Sequence, residues 1–309
     1  MNVPRATRTV LAVPGHREKM LQSAAASPAD AVFIDLEDAV PPEKKSAALA
    51  SAVKALNELD WGDKWVSVRI NSDSNGVATG EVETLARDAP RLNALLVPKV
   101  ESVQTVHDVA HLLGARPSAL SPLKIEALIE TALGIVNVDA IAASSDQLVA
   151  LHFGVGDFSA SIGARNVDIG GTHPGYALTL RNDAGNYATT PLDLWTYPMM
   201  RILVAARAFG LRAIDGPCGA FRDPVLTRSW ALKAAAMGFD GKQVIHPDQI
   251  EPTRTAFSPT PAEVDDARRT VDALAAAQEA GLAAVSLDGK LVDFANVRMA
   301  ERILAMASA

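Results

Sequence analysis

Two carboxylates carry the first chemical signal in this sequence. Glu130 closes the apolar run "LKIEALIE" (123–130), and Asp157 closes "QLVALHFGVGD" (147–157). If the two runs are consecutive strands of one sheet, the acids end side by side. Adjacent carboxylates repel unless a cation lies between them. Two carboxylates with positions left for water suit Mg2+, which keeps much of its hydration. A pair of acids bound to arginines is the simpler alternative. Zinc fits less well, because the six histidines are scattered and no Cys/His spacing matches a zinc site.

The stretch "IDLEDAV" (34–40) is the second signal. Asp35, Glu37 and Asp38 are set among Ile34, Leu36 and Val40, and a buried carboxylate is costly unless something compensates it. Other apolar runs end the same way, with Arg69 and Asn71 in "KWVSVRIN", Lys99 in "ALLVPKV", Asp215 in "RAIDGP" and His246 in "KQVIHP". Any one of these alone reads as a strand-end hydrogen bond. Together they predict a shared polar mouth in which acids and cations compensate each other. "VPGHR" (13–17) follows the first run at a helix start, where backbone N–H groups and Arg17 suit a phosphate, although an ordinary turn with a surface arginine is the simpler view. "GVGDFS" (154–159) has part of a dinucleotide-loop pattern but lacks the third glycine, and no short helix and strand are expected after it.

Eight runs must position these residues: 8–14, 31–38, 64–71, 94–100, 123–130, 147–157, 212–217 and 242–247. Alanine-rich helical patterns separate most of them, which predicts a parallel sheet. Eight such units predict an α/β fold, a (β/α)8 TIM barrel whose active site lies at the C-terminal ends of its strands. Residues 159–191 break the rhythm as a long loop, and a loop of that length is usually functional or mobile. Beyond the eighth unit, "TPAEVDDARRTVDALAAAQEAG" predicts an amphipathic helix with a Thr cap followed by Pro. "AVSLDGKLVD" predicts a hairpin with a D-G turn, and a final helix follows. The expected organisation is a catalytic barrel over 1–258 and a C-terminal extension over 259–309.

Composition narrows the function classes. The 309-residue chain is 49% apolar and 21% charged, as expected of an ordinary globular protein. A net charge of -7 and the lack of a basic stripe argue against nucleic acid as a partner. One cysteine, Cys218, cannot form an internal disulfide and fits a reducing compartment. No apolar run approaches the ~18 residues that cross a bilayer, and the N-terminus has no signal-peptide pattern. The expected setting is cytoplasmic, without a membrane partner.

The motifs also occur in a recognisable order. "VPG.R", "FIDLEDAV", "SVRIN", "LLVPKVE", "ALIET..GI", "GVGDFSASIG", "AIDGP...F.D", "G..GKQVIHPDQI" and "GKLVD" resemble the citrate lyase β-subunit and malyl-CoA lyase family over nearly the whole chain. The resemblance is greatest to L-malyl-CoA/β-methylmalyl-CoA lyases, because of "IGGTHPGYALTL" and the long segment after Asp157. It implies a (β/α)8 barrel in homotrimers or dimers of trimers (homohexamers), with Mg2+, or Mn2+ in its place, and a coenzyme A thioester as substrate. By the same resemblance the metal ligands fall on Glu130 and Asp157. The arginine at the reacting oxygen falls on Arg69, and a catalytic Asp reaching in from a neighbouring subunit's tail falls on Asp293. The substrate and CoA contacts fall on Arg17, Gly156, Asp157, Ile245 and His246, with Asp35, Glu37, Asp38 and Lys99 in support. Some relatives have a lysine where this chain has Ser23, and Lys19 is the cation available in its stead. The implied reaction is cleavage of a 3-hydroxyacyl-CoA to acetyl-CoA or propionyl-CoA and a 2-oxoacid such as glyoxylate. Open alternatives are citramalyl-CoA lyase, malyl-CoA thioesterase, an acyl-carrier-dependent subunit and a Schiff-base aldolase using Lys99 or Lys242.

Overall fold

The computed structural model describes residues 6–73, 76–114, 116–165 and 168–308. Eight parallel strands close a barrel in chain order: β1 (Thr9–Pro14), β2 (Ala31–Asp35), β3 (Trp65–Arg69), β4 (Ala94–Val97), β5 (Lys124–Ile129), β6 (Leu148–Phe153), β7 (Arg212–Asp215) and β8 (Gly241–Val244). Each expected run supplies one strand. Closure pairs β8 with β1 through Thr9 and Lys242, Val10 and Gln243, and Leu11 and Val244. Gly241 permits it, because a Cβ there would collide with the carbonyl of Thr7.

Alternate residues of neighbouring strands share a face. On one face Val10, Ala31, Phe33, Leu96, Leu128 and Ile214 form a buried apolar cluster. Two residues before Leu128, Glu126 is also buried, together with Ser67, His152 and Gln243. Trp65 Nε1 donates to Glu126 at 2.9 Å, His152 lies 3.5 Å from the other carboxylate oxygen, and Gln243 meets His152 at 3.1 Å. Burial alone would raise the Glu126 carboxyl, but His152 and Arg212 hold it below the usual carboxylate range. This layer is not among the expected functional residues. Its signal is the period-two series Glu126, Leu128, Glu130, in which a buried acid already precedes the one at the strand end.

The strands are shorter than the apolar runs at their C-terminal ends. β2 stops at Asp35 because its side chain accepts from the amides of Glu37 (2.9 Å) and Ala39 (3.0 Å), which turns the chain. β6 stops at Phe153, and Val155–Ser161 is a helix where none was expected after "GVGDFS". The segment 159–191 is not wholly irregular either. Ala177–Arg181 and Tyr187–Pro191 pair as an antiparallel hairpin. Its turn is fixed by the Asn182 side chain, which accepts from Asn186 N at 2.9 Å, and by Gly185 at φ 82°.

The chain divides into two compact units, Thr7–Thr253 and a second beginning at Arg254. The division falls inside the helix Ile250–Phe257, five residues before the expected boundary. In the second unit, Pro261–Glu279 starts with Thr260 and Glu263 in a reciprocal capping box. The hairpin Val285–Leu287 and Lys290–Val292 turns at Asp288 and Gly289, both at positive φ, and Phe294–Ala307 follows. Among the described residues no helix is long and apolar enough to cross a membrane.

Candidate active site

The C-terminal ends of β2 to β6 bring together most of the predicted polar residues. Asp35 and Arg69 are register partners on β2 and β3. Asp35 grips the guanidinium with two bonds of 2.7 Å, to Nε and Nη2. Arg69 Nη1 then faces Glu37 at 3.2 Å and Asp38 at 3.8 Å. Lys99 Nζ bonds Glu37 at 2.6 Å and lies 3.9 Å from Asp38 and 3.7 Å from Asp157. The Lys99 backbone N–H donates to Glu130 at 2.8 Å. Thus the three acids of "IDLEDAV" surround two cations, and their presence in an apolar run is explained. Gly154, which follows β6, lets the Glu130 carboxylate into this space, because a Cβ there would overlap it.

Lys99 is at φ 50°, and the only other described non-glycine residue at positive φ is Asp288 in the tail hairpin. A side chain in that region costs on the order of 1–3 kcal/mol and persists only when its surroundings impose it. Here they do, because the same residue must present its N–H to Glu130 and its ammonium to Glu37.

Charge is unevenly distributed in the mouth. Burial opposes ionisation of Asp35, yet the Arg69 fork and the amides of Glu37 and Ala39 hold its carboxyl below the ordinary range. Burial likewise opposes the Lys99 ammonium, but Glu37, Asp38 and Asp157 outweigh it and raise its pKa well above the ordinary lysine value. A lysine so held is protonated and is no amine nucleophile, which disfavours the Schiff-base alternative at Lys99. Glu130 stands apart. Burial, with Asp157 adding like charge, pushes its carboxyl up to about 8. The five carboxylates (Asp35, Glu37, Asp38, Glu130 and Asp157) outnumber the two cations (Arg69 and Lys99) by three.

That excess fits a divalent cation at Glu130 and Asp157. Among the described residues no group of three or more His, Cys, Asp or Glu side chains is arranged to hold a metal. A pair of carboxylates, with water or substrate completing the shell, suits Mg2+.

The remaining predicted residues lie elsewhere. Exposed Arg17 precedes the helix Glu18–Ala26, which contains Lys19. Gly156 lies in the first turn of Val155–Ser161, one residue before Asp157. Ile245 and His246 follow β8. His246 Nδ1 accepts from Asp248 N at 3.2 Å and its ring stacks on Phe221 at 5.2 Å between centroids. Asn71 is buried, donating to Glu81 and to the Leu36 carbonyl. Asp215 does not join the acid mouth. It bonds Lys242 Nζ at 2.6 Å, and the pair lines a separate cavity of about 380 Å3 with Phe153, Met199, Trp195 and Trp230. In the second unit, Asp293 caps Phe294–Ala307, accepting from Ala295 N at 2.8 Å and Asn296 N at 3.3 Å.

Fold and mouth define a (β/α)8-barrel enzyme with an acid-rich polar opening at its strand ends. The chain belongs to the HpcH/HpaI aldolase/citrate lyase family, which matches residues 8–247, and it is a carbon–carbon lyase. It is 37% identical over 307 residues to the L-malyl-CoA/β-methylmalyl-CoA lyase of Cereibacter sphaeroides, covering 98% of this chain and 95% of that protein. It is 33% identical to the mitochondrial citramalyl-CoA lyase of Homo sapiens, covering 99% of this chain and 86% of that one. The crystal structure of CitE from Mycobacterium tuberculosis, in complex with magnesium, acetoacetate and coenzyme A, superposes with a TM-score of 0.74. It is 30% identical, covering 98% of this chain and 99% of that one.

Proposed function

We propose that the protein cleaves, and in reverse forms, a 3-hydroxyacyl-CoA such as L-malyl-CoA or β-methylmalyl-CoA, giving acetyl-CoA or propionyl-CoA and glyoxylate. The observation that carries this is the acid excess at the strand ends, with buried Glu130 beside Asp157 and a preorganised Arg69 opposite. Glu130 and Asp157 would hold the metal. Bound there, Mg2+ or Mn2+ supplies Lewis-acid polarisation of the 2-oxoacid oxygens.

The chain's own groups account for the rest. In cleavage the 3-hydroxyl gives its proton to solvent water, its oxygen forms the carbonyl of the 2-oxoacid as the carbon–carbon bond breaks, and the electron pair of that bond remains on the thioester fragment as an enolate, while Asp293 regains from solvent the proton it will donate. Arg69 is held by two bonds from Asp35, so its charge is already oriented when negative charge develops on oxygen. Asp293 returns a proton to the acyl carbon, completing acetyl-CoA or propionyl-CoA. On this proposal Asp293 comes from a second copy of the chain in a homotrimer or dimer of trimers, with 259–309 serving as a lid. Arg17, Lys19, Gly156, Ile245 and His246 belong to the acyl-CoA side of the site. A cytoplasmic, reducing setting suits the single buried thiol of Cys218.

The likeness to citramalyl-CoA lyase supports a second reading, with pyruvate as the oxoacid. A condensation panel separates them, offering acetyl-CoA and propionyl-CoA each to glyoxylate, pyruvate and oxaloacetate. Product from glyoxylate with either thioester is expected. Product from pyruvate alone would replace the first reading with the second, and release of free malate from malyl-CoA would make the protein a thioesterase.

A further inference from the structure

We propose that Lys99 is a positioning residue that weakens the site's hold on its divalent cation so that an anionic 2-oxoacid can bind beside it. The inference rests on the metal reading above.

Lys99 does two separate things. Its backbone N–H fixes one Glu130 oxygen at 2.8 Å, and this bond survives any side-chain change that keeps the backbone in place. Its ammonium joins the two halves of the mouth, bonding Glu37 at 2.6 Å and standing 3.7 Å from Asp157. A fixed positive charge at that distance from a metal ligand repels an incoming cation. The charge balance gives this repulsion a use. With all five carboxylates ionised, Arg69 and Lys99 leave the mouth at an excess of three negative charges. A divalent ion reduces that excess to one, and the oxoacid carboxylate must then approach. Without the ammonium the loaded site would retain an excess of two, holding metal more tightly and anion more weakly. Arg69 cannot substitute, because its Nε and Nη2 are both committed to Asp35.

The test is a calorimetric titration of the full-length, metal-stripped protein with Mn2+, using wild type, Lys99→Met, Lys99→Arg and Glu130→Gln. Lys99→Gly serves as a second uncharged variant that also relieves the positive φ. Both uncharged variants are expected to bind Mn2+ about tenfold more tightly than wild type, a screened-charge effect, while Lys99→Arg stays near wild type. In the condensation assay the KM for glyoxylate is expected to rise about tenfold in Lys99→Met with the KM for acetyl-CoA little changed. Unchanged or weaker Mn2+ binding in the folded uncharged variants, with wild type binding and Glu130→Gln not, overturns this proposal alone. If wild type binds no Mn2+, the metal reading falls and takes this proposal with it.

Discussion

Two clusters of charge in this barrel, one a buried pair and the other opening to solvent at Asp38, Lys99 and Asp157, differ in their balance. Behind β7 and β8, Asp215 and Lys242 pair one to one at 2.6 Å, and Lys242 also reaches the Gly216 carbonyl. At the ends of β2 to β6, five carboxylates share two cations. A balanced buried pair costs desolvation and returns most of it, so it persists as structure. An unbalanced cluster carries net charge that water, where it is exposed, or a bound cation must offset. On the function proposed above, the difference separates a packing device from a binding site.

The sharpest way to break this comparison is to remove the excess. Glu130→Gln or Asp157→Asn is expected to abolish turnover, as is excess EDTA, with the circular dichroism spectrum unchanged. Full activity in any of the three sinks the metal assignment.

Asp293→Asn is expected to be nearly inactive yet normally folded, because Asn caps a helix about as well as Asp. Mixing it with Glu130→Gln subunits under verified exchange should restore some turnover, since mixed oligomers pair an intact acid mouth with an intact tail. If Asp293 only caps its helix, Asp293→Asn keeps most of its rate. A dead mixture places Asp293 on its own barrel.

Arg69→Ala should lower kcat by roughly 10²–10³-fold, the usual effect of losing one preorganised charge-stabilising donor. A change confined to the acyl-CoA KM would make Arg69 a binding residue instead.

In the balanced cluster the expected effect is on stability. Asp215→Asn leaves Lys242 buried without its counter-charge, and removing one partner of such a pair costs roughly 3–5 kcal/mol. Urea denaturation should register that loss, while kcat of the folded variant stays within about twofold of wild type. A large kcat change would place the Asp215–Lys242 cavity in the reaction.

The smallest expected effect is on pH. Glu130 sits at about 8 before metal binds, and metal requires the ionised carboxylate. Proton and cation therefore compete below pH 8. Apparent Mn2+ affinity should fall by up to about tenfold per unit as pH drops below about 8, and level off above it. A flat profile between pH 6 and 8 would mean that no proton on Glu130 competes with the cation in that range, against the raised carboxyl.

Much of this molecule is legible in its sequence. The eight strands read directly from β-branched runs such as "TVLAVP", because parallel strands buried on both faces are nearly continuous in apolar residues. The tail helix reads from Thr260 and Pro261, and its hairpin from Asp288-Gly289, since these are local hydrogen-bond and backbone preferences. The strand ends reads less well. In "FIDLED" the strand stops at Asp35, where a side chain captures two amides ahead of it.

What the sequence could determine by itself was which residues stand at the strand ends, because spacing along a strand dictates their level. Which charges compensate which was decided by tertiary structure alone. Asp35 meets Arg69 across 34 residues, Lys99 meets Glu37 across 62, and Asp215 leaves the mouth for Lys242 across 27. Nothing local in "VPKV" requires Lys99 to adopt a positive φ. That conformation accompanies two contacts made across the barrel, the Lys99 N–H to Glu130 and its ammonium to Glu37.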